Sequence, residues 1–498
     1  MGLEQQYDET YKILMVAAEA VPFAKTGGLA DVVGSLPKAL AVYGNDVRVI
    51  IPRYRGIEDL TTLGDFPVQV GNRRETAIVR QAYIRAQLDG VERLVPTYLI
   101  DNYHYFDRER LHGYGDDAQR WAFFCRAVLE WLRVLSWKPD VIHVHDWHTA
   151  PIPVLLKAHY GRDPFYSLMA TLLTVHNAQY QGNFGREALD DLGLDASYYS
   201  PDQLEFYGKV SYLKAGLLYA DLLNTVSRTY AQEVQRDRGF GLEGVFAQRA
   251  DELFGIQNGI NYHEFNPATD PRIYRNYSQA NWVVGKRENK HALQKELGLP
   301  IAEVPVLAVV SRLVEQKGID LLLAAADDIL QSDVQLAVLG QGEARFEDGW
   351  RQLRRRYPER VGVTIGFNSV LAQRIYAGAD IFLMPSRFEP SGISQLIAMR
   401  YGTVPLVHAT GGLADTVMDY DEQQGIGTGF SFDRLDASSL VNTVRRALGV
   451  YASPDRWRGV VEADLRADFS WNHSASEYMA LYASAVAKVR QRELAAAF

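Results

Sequence analysis

The hexapeptide Thr26-Gly-Gly-Leu-Ala-Asp31 recurs as Thr410-Gly-Gly-Leu-Ala-Asp415. Each copy follows an apolar run and precedes a stretch with helical spacing. Chance repetition of six residues within 498 is very improbable. Two Rossmann-like halves, each with a glycine loop feeding a helix, account for it. In the first copy Gly27 and Gly28 stand close to Lys25. Glycine lets a backbone approach a ligand closely, and amides at a helix start attract anions, so the loop suits a phosphate. The same glycines could do no more than close a βα unit, and the residues leave both readings open.

Around these loops, short β-branched runs alternate with longer helical patterns. Strands are expected at 12–18, 46–52, 95–100, 141–145, 172–176 and 222–226, then at 306–310, 335–339, 363–365, 381–384 and 404–407. Helices are expected at 31–43, 117–135, 151–159, 318–330, 344–357, 370–379 and 395–401. Several strands are apolar almost throughout, which indicates a parallel sheet covered by helices on both faces. Residues 266–281, with two prolines and no clear period, read as a connector. From about Trp471 the spacing of Tyr478, Leu481, Tyr482, Val486 and Val489 is helical.

Composition narrows the function classes. The chain is 47% hydrophobic and 23% charged, which argues against wholesale disorder and against a polytopic membrane protein. With 52 Lys+Arg against 61 Asp+Glu, the net charge of −9 disfavours wrapping nucleic acid. A local basic pocket for a phosphorylated small molecule remains compatible with it. The single cysteine, Cys125, excludes an intramolecular disulfide and a multi-cysteine zinc site, and its apolar neighbours indicate a buried structural thiol. The N-terminal Met-Gly-Leu-Glu-Gln-Gln lacks a basic leader and has Gln6 where myristoylation needs Ser or Thr. No apolar run approaches the roughly 18 residues of a membrane helix.

Four further segments carry chemistry. His143-Val-His145-Asp-Trp-His148 invites a metal reading, since His143 and His145 share one face of a strand. A strand end delivering Asp146 and His148 to a cleft is favoured, because ligands of open α/β sheets sit at the carboxyl ends of strands. His176-Asn177 fits the same geometry. Arg312 and Lys317, beside Gly318, form a diphosphate clamp by type, the alternative for Lys317 alone being a solvated loop. Glu389, in Glu-Pro-Ser-Gly392, either caps a helix or binds sugar hydroxyls above phosphate-binding amides. Neither a P-loop nor a strict Gly-x-Gly-x-x-Gly is present.

Taken together, KTGGLADV at 25–32, HDWH at 145–148, TVHNAQYQG at 174–182, NGI at 258–260, SRLVEQKG at 311–318 and the block 374–417 resemble the bacterial-type glycogen and starch synthases, glycosyltransferase family 5. The motifs run in the family's order over nearly the whole chain. The resemblance implies an α/β chain of the GT-B class: two Rossmann-like doubly wound domains facing across a cleft, with a C-terminal helix crossing back to the first. Residues 1–253 with 466–498 would form the first domain and 254–465 the second. The implied reaction is transfer of glucose from ADP-glucose to the non-reducing 4-hydroxyl of an α-1,4-glucan, with retention and without a metal or other cofactor. Nucleic acid and membrane are not implied partners, and the implied location is the cytoplasm, or the plastid stroma for a plant or algal chain.

Carried over by motif, Lys25 with Gly27, Gly28 and Asp31 would face the donor, and His148 would bind glucose with its main-chain carbonyl near the anomeric centre. Asn177 and Asn258 would contact the glucose region. Arg312 and Lys317 would hold the diphosphate, and Glu389 would bind glucose hydroxyls, helped by the amides of Ser391, Gly392 and Ile393. Thr410, Gly411 and Gly412 would complete the donor site, and Phe367 would stack on adenine unless it fills the core instead. Ser391 replaces the family's frequent cysteine, Arg228 a proline, and His408 an arginine. Ile397 stands where related transferases carry a second glutamate. The rival readings are another GT-B enzyme, such as a sucrose-type transferase or a phosphorylase, and a catalytically silent glucan-binding or priming relative.

Overall fold

The computed structural model describes residues 9–88 and 91–496. The N-terminal hexapeptide on which the leader and myristoylation expectations rest lies outside them. The chain divides into two compact units, Met1–Asn258 with Trp471–Phe498, and Gly259–Ser470. The sequence had placed these borders about five residues earlier, at 253/254 and 465/466.

In the first unit the strands are β1 (Lys12–Val16), β2 (Asp46–Pro52), β3 (Thr61–Val70), β4 (Arg73–Leu88), β5 (Val91–Asp101), β6 (Val141–His145), β7 (Ala170–Val175), the short β8 (Asn183–Phe184), β9 (Glu205–Phe206) and β10 (Lys209–Ser211), then β11 (Leu222–Thr225) and β12 (Leu253–Gly255). Among the described residues, nine of them form one sheet in the order β12-β11-β7-β6-β1-β2-β5-β4-β3. Its pairings are parallel from β12 to β5 and antiparallel from β5 to β3. Strands β6, β7 and β11 are buried along their whole length, as a sheet covered on both faces requires. The antiparallel edge was not anticipated. On β3 only Phe66, Val68 and Val70 are buried, every second residue, and Pro67 is tolerated because β3 is the edge strand. Gly71, with φ +55°, makes the turn into β4.

The second unit carries β13 (Val306–Val310), β14 (Gln335–Gly340), β15 (Val361–Ile365), β16 (Ile381–Met384), β17 (Val404–His408) and β18 (Phe430–Phe432), all parallel in the order β15-β14-β13-β16-β17-β18. Alternate residues feed two separate cores. Leu307, Val309, Leu336, Val338 and Leu406 face one helical layer. Val306, Ala308, Ala337, Leu339 and Val407 face the other. This is the period of two expected of a doubly covered sheet. Residues 266–281 run without helix or strand.

The hexapeptides do not occupy equivalent places in the two units. The first follows β1 and feeds the fifteen-residue helix Gly28–Val42. The second follows β17, the fifth strand of its unit, and feeds only Gly411–Thr416. Their glycines answer different constraints. A Cβ on Gly411 would lie 2.1 Å from the Glu389 carbonyl oxygen, and one on Gly412 2.0 Å from that of Ser391. A Cβ on Gly27 would meet nothing closer than Glu19 Oε1, at 3.8 Å.

The helix Trp471–Ala496 returns to the first unit, and Tyr478, Leu481, Tyr482, Val486 and Val489 are all buried in its core.

Candidate functional site

In the first unit, the residues expected at the site lie just beyond the carboxyl ends of β1, β6, β7 and β12. Beyond β1, Glu19 is 5% exposed and accepts from the Thr26 amide and, at 2.9 Å, from Thr26 Oγ1. A buried carboxylate thereby sets the shape of the loop that presents Lys25, Gly27 and Gly28. Lys25 pairs with Asp31 at 2.6 Å, and both side chains are substantially exposed. Such a pair contributes at most about 1 kcal/mol, so an anionic ligand can draw the ammonium away at little expense.

Beyond β6, Asp146 adopts a left-handed φ of +55°. Its Oδ1 accepts the His176 amide at 2.7 Å, which ties the ends of β6 and β7 together. Burial pushes its carboxyl up to about 7, against the lowering effect of that bond. His148 is buried against Trp147 and Trp121, with ring centroids 3.9 and 4.5 Å away. Burial holds its pKa well below the usual histidine range, so the ring is neutral. Neither ring nitrogen has a partner among the described residues. A neutral imidazole with an unused donor and an unused acceptor is equipped for a sugar hydroxyl. Cys125 is fully buried and donates from Sγ to the His148 carbonyl oxygen at 3.3 Å. Asn177 caps its own turn, with Oδ1 accepting from the Gln179 amide at 3.0 Å. Asn258 is 4% exposed, and its Oδ1 has no partner among the described residues.

The metal reading of the histidine run fails on its bonding. His143 spends Nδ1 on Tyr482 Oη at 2.9 Å and Nε2 on Thr174 Oγ1 at 2.7 Å. His145 Nδ1 meets His176 Nε2 at 3.0 Å. Among the described residues, no group of three or more His, Cys, Asp or Glu is placed to hold a metal.

In the second unit, the expected residues follow β13, β15, β16 and β17. Arg312 is exposed and has no carboxylate within ion-pair distance among the described residues. Lys317 closes a single 3-10 turn, Glu315–Lys317. Gly318 next to it has φ +68°, and a Cβ there would lie 2.0 Å from the Pro385 carbonyl oxygen. That close approach brings the Lys317 ammonium onto Glu389 Oε2, an ion pair of two largely buried side chains. Glu389 also accepts from Ser386 Oγ at 3.1 Å. It is therefore more than a helix cap: the following helix starts only at Ser394, after Ser391, Gly392 and Ile393. The Gly412 amide donates to the Glu389 and Pro390 carbonyl oxygens, at 3.0 and 3.1 Å, so the loop after β17 buttresses the loop after β16. Thr410 and Gly411 belong to the same buttress. Phe367 is 85% exposed, and the core reading of that ring is excluded.

Glu19, Ser386 and the thiol bond of Cys125 were not anticipated as parts of the site. Glu19 did leave a signal, a lone carboxylate in the apolar run Ala17-Ala18-Glu19-Ala20. Ser386 stands only three residues before the carboxylate it donates to, and Cys125 reaches a carbonyl 23 residues away; neither side-chain contact leaves a mark in the sequence.

A family model described as starch synthase catalytic domain matches residues 12–248, and one described as glycosyl transferases group 1 matches residues 293–458. A glycogen synthase of Desulforudis audaxviator is 52% identical over 493 residues, covering 97% of this chain and 98% of that protein. One of Moorella thermoacetica is 50% identical over 481 residues, covering 96% and 98%. Among solved structures, the catalytic domain of Starch Synthase IV from Arabidopsis thaliana, bound to ADP and acarbose, matches with a TM-score of 0.87 at 33% identity, over 96% of this chain and 100% of that one. A sucrose-phosphate synthase from Thermosynechococcus elongatus, 20% identical with a TM-score of 0.59, shares the fold alone.

Proposed function

Because the chain belongs to the family of the bacterial-type glycogen and starch synthases, we propose that it lengthens α-1,4-glucan chains, moving glucose from ADP-glucose to the non-reducing 4-hydroxyl with retention at the anomeric carbon. The observation that carries this reading is the 52% identity to a glycogen synthase along almost the whole of both chains. The chain is a glycosyltransferase, and the sucrose-type, phosphorylase and silent-relative readings are not favoured. Support for ADP as the leaving group comes from a relative solved with ADP and acarbose. By family, we propose the cytoplasm as its location, or the plastid stroma for a plant or algal chain. Among the described residues no helix is long and apolar enough to cross a membrane.

The residue roles follow from where charge develops. Breaking the glycosidic bond sends negative charge onto the departing diphosphate. Arg312 and Lys317 meet it with fixed positive charge, and single preorganised donors of this kind are worth about 3–4 kcal/mol in the transition state. Glu389 binds glucose hydroxyls, and the amides of Ser391, Gly392 and Ile393 assist. Thr410, Gly411 and Gly412 hold that loop in place. Lys25, presented with Gly27, Gly28 and Asp31, addresses the donor from the first unit. His148 gives its neutral ring to the glucose, with its carbonyl oxygen toward the anomeric carbon, and Asn177 and Asn258 contact the sugar. Phe367 stacks on adenine.

A covalent glycosyl-enzyme needs two carboxyl groups about 5–5.5 Å apart. Glu389 is already engaged by Lys317 and Ser386. A front-face displacement, in which the donor phosphate takes the acceptor proton, suits these residues better.

Incubating the protein with ADP-glucose or UDP-glucose, with and without glycogen, tests the reading. ADP release that depends on glycogen and favours ADP-glucose is expected, whereas no glucan extension from either donor overturns it. Lys317→Ala should lower turnover far more than it weakens glycogen binding, since charge on the diphosphate grows in the transition state. Unchanged turnover with weakened glycogen binding would refute that role.

A further inference from the structure

We propose that His408 is a positioning residue for the donor groups of the second unit, acting on Glu389 and Lys317 through Ser386. The proposal rests on the roles assigned above to Glu389 and Lys317. His408 ends β17, which pairs with β16, and the loop after β16 carries Ser386 and Glu389. His408 Nδ1 lies 2.7 Å from the Ser386 carbonyl oxygen, and Nε2 lies 3.2 Å from the Asp433 carbonyl oxygen. A carbonyl oxygen only accepts, so the shorter contact places a ring proton on Nδ1. The Phe432 ring, with its centroid 5.6 Å away, packs against the imidazole.

The bond to Ser386 matters because of what that serine does next. Ser386 is 1% exposed, and its hydroxyl donates to Glu389 Oε2 at 3.1 Å. The same oxygen receives the Lys317 ammonium. Four groups therefore stand in series: imidazole, serine peptide, glutamate carboxylate, lysine ammonium. Turning the Ser386 peptide would swing its hydroxyl away from Glu389. The carboxylate would then be held by Lys317 alone and free to rotate about its long side chain. The backbone bonds from Gly412 to Glu389 and Pro390 hold the main chain of this loop. His408 adds a side-chain hold on the peptide that orients Ser386.

The test compares His408→Ala, His408→Asn, Ser386→Ala and the double variant His408→Ala with Ser386→Ala. Asparagine keeps an N–H donor near the place of Nδ1. His408→Ala should lower kcat with ADP-glucose about ten- to a hundredfold, as small misplacements of reacting groups do, with KM for glycogen within about twofold. His408→Asn should recover most of that loss. Ser386→Ala should resemble His408→Ala, and the double variant should be no worse than the poorer single one, because both break the same series. Unchanged kcat in His408→Ala, additive losses in the double variant, or a His408→Asn variant as poor as alanine would each overturn the proposal. If His408→Ala does not fold, wild-type turnover in Ser386→Ala overturns it equally. Glu389→Ala separates the two layers. Wild-type turnover there removes the donor-site reading itself, whereas lost turnover there with intact turnover in His408→Ala removes only the positioning role.

Discussion

Two residues show how exposure and burial decide what a substitution will do. Phe367 projects from the end of β15 beside Gly366, whose φ is +137°, and 85% of it is exposed. Removing it leaves no cavity. Phe367→Ala should leave the melting temperature nearly unchanged while weakening ADP binding by roughly 1–3 kcal/mol, the range for a lost stacking ring. Isothermal titration with ADP beside a thermal melt checks both halves, and undiminished ADP affinity would end the stacking role. Asp146 is the opposite case. Burial pushes its carboxyl up to about 7 in the folded chain, against about 3.9 when unfolded. Between those values the folded chain holds a proton that the unfolded chain has released. Stability from this group is therefore lost as pH rises from about 4 to about 7, and is level above that. Asp146→Asn removes the titration but keeps the Oδ1 acceptor for His176. The melting temperature of the variant relative to the original should rise from about pH 4 to about pH 7 and stay level above that. A difference that does not change across that range would contradict the account.

Among elements, the helix Trp471–Ala496 does the most with the least sequence signal. Its apolar face is legible as a period, but its role lies in polar contacts with distant strands. Tyr482 reaches His143 on β6, and Tyr478 Oη accepts from Asn224 on β11 at 3.1 Å. Lys488 pairs with Glu252, and Arg492 with Asp221 at 2.9 Å. Tyr482→Phe keeps the ring but strands the buried Nδ1 of His143. An unsatisfied buried polar group costs about 1–3 kcal/mol. Urea unfolding of the first unit's transition should show that loss with an unchanged slope, and a midpoint equal to the original would dismiss the bond as unimportant. The antiparallel edge β3–β4 is the element that sequence reading missed. One face of β3 is exposed, and Gly64, Asp65 and Pro67 interrupt its apolar pattern. The long apolar runs that betray buried parallel strands are missing there, and the Gly71 turn was the available clue.

For the whole molecule, the question is how a chain of net charge −9 handles a diphosphate. It does so locally. Arg312 has no carboxylate partner among the described residues, and Lys317 and Lys25 each hold one carboxylate that a ligand can replace. In those proposed roles the cations would supply the positive charge that a magnesium ion brings. Activity should accordingly survive exhaustive treatment with EDTA, measured as glycogen-dependent ADP release. Complete loss restored by adding a divalent metal would refute this.

What the sequence determined by itself was the alternation of buried strands and helices and the family. The candidates Lys25, Arg312, Lys317 and Glu389 could be named from it too, because motifs are local and sit next to strands whose apolar runs are local. The limits of Val141–His145 and Ile381–Met384 were legible for the same reason. Tertiary structure alone decided the rest. The repeated hexapeptide proved to mark a first strand in one unit and a fifth in the other, a difference of topology that six identical residues do not encode. It also buried the rings of His143, His145 and His148, which holds them neutral, and paired His143 with a tyrosine 339 residues away. Glu19, Ser386, Cys125 and His408 act by holding other groups in place. That role is a matter of distance and burial, which exist only once the chain has folded.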